Sequence, residues 1–108
     1  MNENEYQRKL KKKILERIPD AIVLKNDPSY IQGIPDLLVL RKKKWAALET
    51  KKSKSAKHRP NQDFYVDKMN DMSFASFIWP ENEEEVLDAL ERSLKGHKKR
   101  RPRVSGSE

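Results

Sequence analysis

The chain has 108 residues, of which 38% are charged and 35% hydrophobic, with a net charge of +7 and no cysteine. At this length one soluble domain with a modest core is expected. Disulfides and thiolate metal sites are excluded, and no apolar run approaches the roughly 18 residues of a membrane span.

An opening helix is expected from about Glu3 to Arg17, because Tyr6, Leu10, Ile14 and Ile18 recur every four residues and Leu15 widens the stripe. Pro19-Asp20 ends it. Ala21-Ile22-Val23-Leu24 is a short β-type run, Asn26-Asp27-Pro28-Ser29 a turn, and Gly33 and Pro35 punctuate the entry to the next strand.

Two apolar runs then flank a basic tetrapeptide: Leu37-Leu38-Val39-Leu40, then Arg41-Lys42-Lys43-Lys44, then Trp45-Ala46-Ala47-Leu48. They fold back as a β-hairpin. A loop centred between Lys42 and Lys43 pairs Leu40 with Trp45, Leu38 with Ala47 and Asp36 with Glu49. Opposed side chains lie about 5 Å apart at Cβ, and like charges so placed repel. Two facing carboxylates on otherwise apolar strands therefore call for a cation between them. Lys51, two residues beyond Glu49, falls on the same face.

Lys52 to Arg59 is polar and expected to be a mobile loop. Pro60-Asn61-Gln62 starts a second helix, with Tyr65, Val66 and Met69 on its core face and an end near Met72. Phe74 to Trp79 is the last strand candidate, closed by Pro80. Asn82 and Glu85 have capping-box spacing, and Val86, Leu87, Leu90 and Leu94 form the stripe of a third helix. From Lys95 onward the pattern stops, which divides the chain into a domain over 1–94 and a basic, disordered tail over 95–108. The expected order is α-β-β-β-α-β-α, an α/β domain with a small mixed central sheet flanked by helices.

Charge is distributed unevenly. Residues 41–59 carry nine Lys or Arg against the single acid Glu49, whereas residues 60–94 carry nine acids against two basic residues. A basic stretch around the carboxylate hairpin is the footprint expected where a polyanion approaches a site, although a solvated lysine-rich loop has the same composition. The N-terminus, Met-Asn-Glu-Asn-Glu, lacks the basic start and apolar stretch of a signal peptide, so a cytoplasmic location is expected.

Pro35-Asp36 followed by Glu49-Thr50-Lys51 on the next strand, after a helix carrying a Glu, resembles the PD-(D/E)xK nuclease superfamily. With Glu3-x-x-Tyr6-Gln7, Lys25, Gly33-Ile34 and Pro60-Asn61-Gln62, the chain looks like the VRR-NUC endonucleases, particularly the minimal phage-type members. The resemblance covers residues 3 to 94. It implies a restriction-endonuclease-like fold, magnesium-dependent cleavage of DNA phosphodiesters, and action on branched DNA such as Holliday junctions. Manganese is an alternative to magnesium, a homodimer follows by analogy, and a phage-encoded member works in the host cytoplasm. Of the acids preceding Tyr6, Glu3 aligns with the apolar stripe and Glu5 points away, so Glu3 is taken as the family's helix carboxylate.

Phosphodiester hydrolysis needs a nucleophilic hydroxide and compensation of charge on a phosphorane-like transition state. Asp36 and Glu49 are hard oxygen ligands suited to Mg²⁺, with the Thr50 carbonyl as a further ligand and Glu3 reaching the ion through water. Lys51 orients the attacking water or stabilises developing charge. Gln62 orients a water or a phosphate, or else caps a backbone group. Lys42, Lys43, Lys44, Lys52, Lys54, Lys57 and Arg59 are expected to bind phosphates. His58 and His97 are isolated in basic loops, Trp45 and Trp79 read as core or sheet-edge aromatics, and Tyr30 either touches DNA or packs on the first helix. The rival readings are a DNA-binding or recombination accessory module that keeps the fold without catalysis, and an RNA-directed nuclease.

Overall fold

The computed structural model describes residues 2–96; of the tail expected over 95–108, Lys95 instead closes the last helix, and residues 97–108, with His97, lie outside the described residues. Helix α1 (Glu3–Arg17) opens with a capping box. The Glu5 N–H donates to Asn2 Oδ1 at 2.9 Å, and the Asn2 N–H donates to Glu5 Oε1 at 3.2 Å. Two orphan amides of the first turn are thereby satisfied, and Glu5 is committed to the cap.

Strands β1 (Ile22–Lys25), β2 (Leu37–Arg41) and β3 (Lys44–Thr50) form an antiparallel meander. The expected hairpin register holds, with Leu40 opposite Trp45 and Leu38 opposite Ala47. Arg41 and Lys44 also pair, so the loop is two residues rather than four. Lys42 makes this tight turn in the left-handed region, at φ 55. Helix α2 (Pro60–Met72) crosses over to β4 (Phe74–Ile78), which runs parallel to β3 and completes a four-stranded mixed sheet in the order β1-β2-β3-β4.

A 3₁₀ turn over Pro80–Asn82 precedes α3 (Glu83–Lys95). The capping box expected between Asn82 and Glu85 is not formed. Asn82 instead accepts from the Trp79 N–H at 2.7 Å and donates to the Phe77 carbonyl at 3.3 Å, because Pro80 inserts the extra turn that needs those contacts. The order is α-β-β-β-α-β-α, an α/β layout with three helices flanking the sheet.

Strand alternation separates two cores. Leu37, Val39, Ala46 and Leu48 face α1 and α3, where they pack with Leu10, Ile14, Leu87 and Leu90. Leu38, Trp45, Ala47 and Phe77 pack on the other face against Val66 and Met69 of α2. Tyr65 is only half-buried. β3 is buried continuously from Ala46 to Thr50, as expected for a strand paired on both edges and covered on both faces. Among the described residues no helix is long and apolar enough to cross a membrane.

Candidate active site

Continuing the strand alternation beyond Ala47 sends Glu49 and Lys51 to the α2 side of the sheet, and continuing it back from Leu38 sends Asp36 there too. Asp36, Glu49, Lys51 and Gln62 accordingly line one open cavity of about 710 Å³, together with Glu3 from the start of α1. A smaller adjoining cavity shares Asp36, Glu49 and Gln62 and is walled by Gly33 and Asn61.

Asp36 lies one residue before β2, and its carboxylate is anchored rather than free. Its Oδ2 accepts from the Thr50 N–H at 3.0 Å and from the Thr50 hydroxyl at 2.7 Å. Thr50 is fully buried and accepts at the same hydroxyl from Gln7 Nε2 at 2.9 Å. A chain of side chains thus runs from α1 through β3 to the carboxylate. Gln7 shares the stripe of Leu10 and Ile14 at helical spacing, and a polar residue on an apolar face was the signal available for it.

Glu49 is 3% exposed. Its Oε2 accepts from Gln62 Nε2 at 3.0 Å, whereas its Oε1 is buried without a partner. Burial, then the neighbouring Asp36 carboxylate, push its pKa up to about 8, with Glu3 adding to the rise and Lys51 opposing it. Such a carboxyl holds a proton near neutrality unless a cation takes the proton's place.

Lys51 is 5% exposed and makes no direct ion pair with Glu49 among the described residues. Its ammonium donates to Gln62 Oε1 at 2.7 Å and to the Lys57 carbonyl at 3.0 Å, which leaves one of three N–H groups for another acceptor. Gln62 links lysine to glutamate and also accepts from the Arg59 N–H at 3.1 Å, so it caps α2 as well. The Lys52–Arg59 loop is tied at its far end by these bonds. His58 also lines the cavity, with its ring stacked on Phe77 at 4.0 Å between centroids and Nδ1 3.0 Å from Asp63 Oδ1.

The donor set fits a hard divalent cation. Asp36 and Glu49 offer carboxylate oxygens, and the unpartnered Glu49 Oε1 is the kind of buried polar atom that a bound ion satisfies. Among the described residues no group of three or more His, Cys, Asp or Glu side chains is arranged around one ion position. An ion held here would have Asp36 and Glu49 as its protein carboxylates, with water able to fill other positions.

The cationic residues divide. Lys57 and Arg59 line the cavity, and Lys52 and Lys54 are exposed on the same loop. Lys42, Lys43 and Lys44 sit at the opposite end of the hairpin from the acids, about 20 Å away for six residues of extended chain. The sequence stretch is continuous, but the fold separates its halves. Tyr30 is 86% exposed and does not pack on α1. Trp45 packs in the core under α2.

Compared with protein-family models, curated proteins and solved structures, the chain matches none of them.

Proposed function

We propose that this chain is a divalent-metal-dependent DNA endonuclease of the VRR-NUC type, hydrolysing phosphodiester bonds and selecting branched DNA by shape. The observation that carries the reading is the convergence of Asp36, Glu49 and Lys51 in one cavity, with a buried carboxylate oxygen left unpartnered.

Asp36 and Glu49 would hold the ion, Mg²⁺ or Mn²⁺. When bound, it supplies an acidified water and charge compensation at the scissile phosphate. Thr50 fixes the Asp36 carboxylate by two donors to one oxygen, leaving the other for ligation. Gln62 holds Glu49 and Lys51 at a set separation. Lys51 directs its remaining N–H to the non-bridging phosphate oxygens or the attacking water, where an ammonium stabilises developing negative charge. Glu3 assists at the cavity mouth. Lys57 and Arg59 attract the DNA backbone through charge, an interaction that carries no base information. A homodimer and a cytoplasmic location go with this reading.

The alternative is a DNA-binding accessory module without catalysis. Incubating the protein with a four-way junction, a flap and a linear duplex, with magnesium and with chelator, tests both. Magnesium-dependent cutting strongest on the branched substrates is expected. Equal cutting of all three removes the preference for branched DNA, and binding without any cutting favours the accessory module.

A further inference from the structure

A second cavity, of about 370 Å³, lies between α1 and the β1–β2 edge of the sheet, and it is lined by Asn4, Gln7, Arg8, Lys11 and Lys25 with no acidic residue. Resting on the nuclease reading above, we infer that this groove is the second half of the nucleic-acid track. It binds backbone phosphates on the far side of the Asp36–Glu49 cavity from the Lys52–Arg59 loop.

Three observations converge. Asn4, Gln7, Arg8 and Lys11 are spaced i, i+3, i+4 and i+7, one face of α1. The other basic residues with partners on this helix are neutralised by α3: Lys13 pairs with Glu83, and Arg17 with Glu84, Asp88 and Glu91. Arg8, Lys11 and Lys25 have no acidic partner among the described residues; Lys25 donates only to Asn4 Oδ1, at 3.1 Å. Unpaired cations gathered in an acid-free groove concentrate anions there.

The second observation is continuity. Glu3 and Asp36 line the catalytic cavity, and their chain neighbours Asn4 and Leu37 line the groove. Leu37 faces α1 whereas Asp36 faces α2, so groove and cavity adjoin around the end of the sheet, beside the first turn of α1. Third, Gln7 connects the two physically. It lines the groove, its amide N–H donates to the Thr50 hydroxyl that holds Asp36, and its Oε1 is buried without a partner. Cationic groups thus line both adjoining cavities, Lys57 and Arg59 the one with the carboxylates and Arg8, Lys11 and Lys25 the groove. The hairpin-tip lysines line neither cavity.

The test measures binding of fluorescently labelled four-way junction and duplex DNA by anisotropy, in chelator so that nothing is cut, across a series of salt concentrations. Two triple variants remove equal charge: Arg8→Ala/Lys11→Ala/Lys25→Ala in the groove and Lys42→Ala/Lys43→Ala/Lys44→Ala at the hairpin tip. All six side chains are surface-accessible, and thermal melting checks that folding is retained. The groove variant is expected to bind about tenfold or more weakly near physiological salt, with a log–log salt slope shallower by about 2 to 3. The tip variant is expected to lose clearly less affinity and to keep a steeper slope than the groove variant, because Lys42, Lys43 and Lys44 line neither cavity. Equal losses in the two variants, or none in the groove variant, overturn the inference while leaving the nuclease reading intact. A wild-type protein that binds no DNA overturns both.

Discussion

Glu49 is a buried glutamic acid on an inner strand of the sheet, where a charge costs far more than a neutral carboxyl. Its raised pKa makes two outcomes calculable. In the unfolded chain the group titrates near 4.5, in the fold near 8. Between those values the folded state holds a proton that the unfolded state has released. In chelator, stability is therefore highest below about pH 4.5 as far as this group is concerned, falls as pH rises towards 8, and levels above it. The full shift corresponds to about 5 kcal/mol as a ceiling, which relaxation and water entry reduce. Glu49→Gln removes the titration, so urea unfolding should show the variant gaining on wild type as pH rises from 5 to 8. Parallel profiles would contradict this. The same proton competes with a cation, so divalent-ion affinity is expected to rise with pH up to about 8, with proton release on binding. Calorimetry in buffers of different ionisation enthalpy measures that release directly.

Elements, rather than single residues, hold the acids together, and Gly33 shows how tightly. It has φ 90, and a Cβ there would stand 2.4 Å from the Asn61 Cβ and 2.7 Å from the Asn61 backbone carbon. The loop entering β2 is thus pressed against the first turn of α2, which fixes Asp36 relative to Gln62. Gly33→Ala is expected to cost about 2 kcal/mol or more, from strain at positive φ together with displacement of backbone. Chemical denaturation measures it; a loss below about 0.5 kcal/mol would show that loop and helix move apart freely. At this scale much was legible in the sequence. Helix α1, the hairpin register and the stripe of α3 follow from period 3.6 and period 2, which burial imposes on the residues themselves. The 3₁₀ turn after Pro80 and the use of Asn82 within it were not legible. One Asn serves either cap equally well, and only the packed turn decides between them. Gln62 left its roles open for the same reason, since its partners Glu49, Lys51 and Arg59 come from three segments.

On the scale of the whole molecule, the excess of positive charge is sorted by the fold. The acids of α3 take up Lys13 and Arg17 of α1, and Asp20 takes up Arg41. Most of these pairs have one partner open to solvent and contribute little to stability, but they cancel charge on that side, while cations without an acidic partner remain at the carboxylate cavity, in the α1–β1 groove and at the hairpin tip. A linear count of charge could not reveal this, because it joined the hairpin-tip lysines to the site that the strands hold them away from. Nor could it reveal the α1–β1 groove, whose cations come from residues 8, 11 and 25.

Asp36 and Glu49 acting as one ion-holding pair is the central claim. Asp36→Asn keeps the size of the side chain and an oxygen that can accept from Thr50, but removes the charge. The decisive measurement is single-turnover cleavage of a four-way junction in magnesium by wild type and by this variant, alongside binding of the same DNA in chelator. Cleavage reduced by at least about a thousandfold with binding within about threefold of wild type is the expected result, as for loss of an essential electrostatic group. Cleavage at the wild-type rate would mean that the chemistry resides elsewhere in the chain.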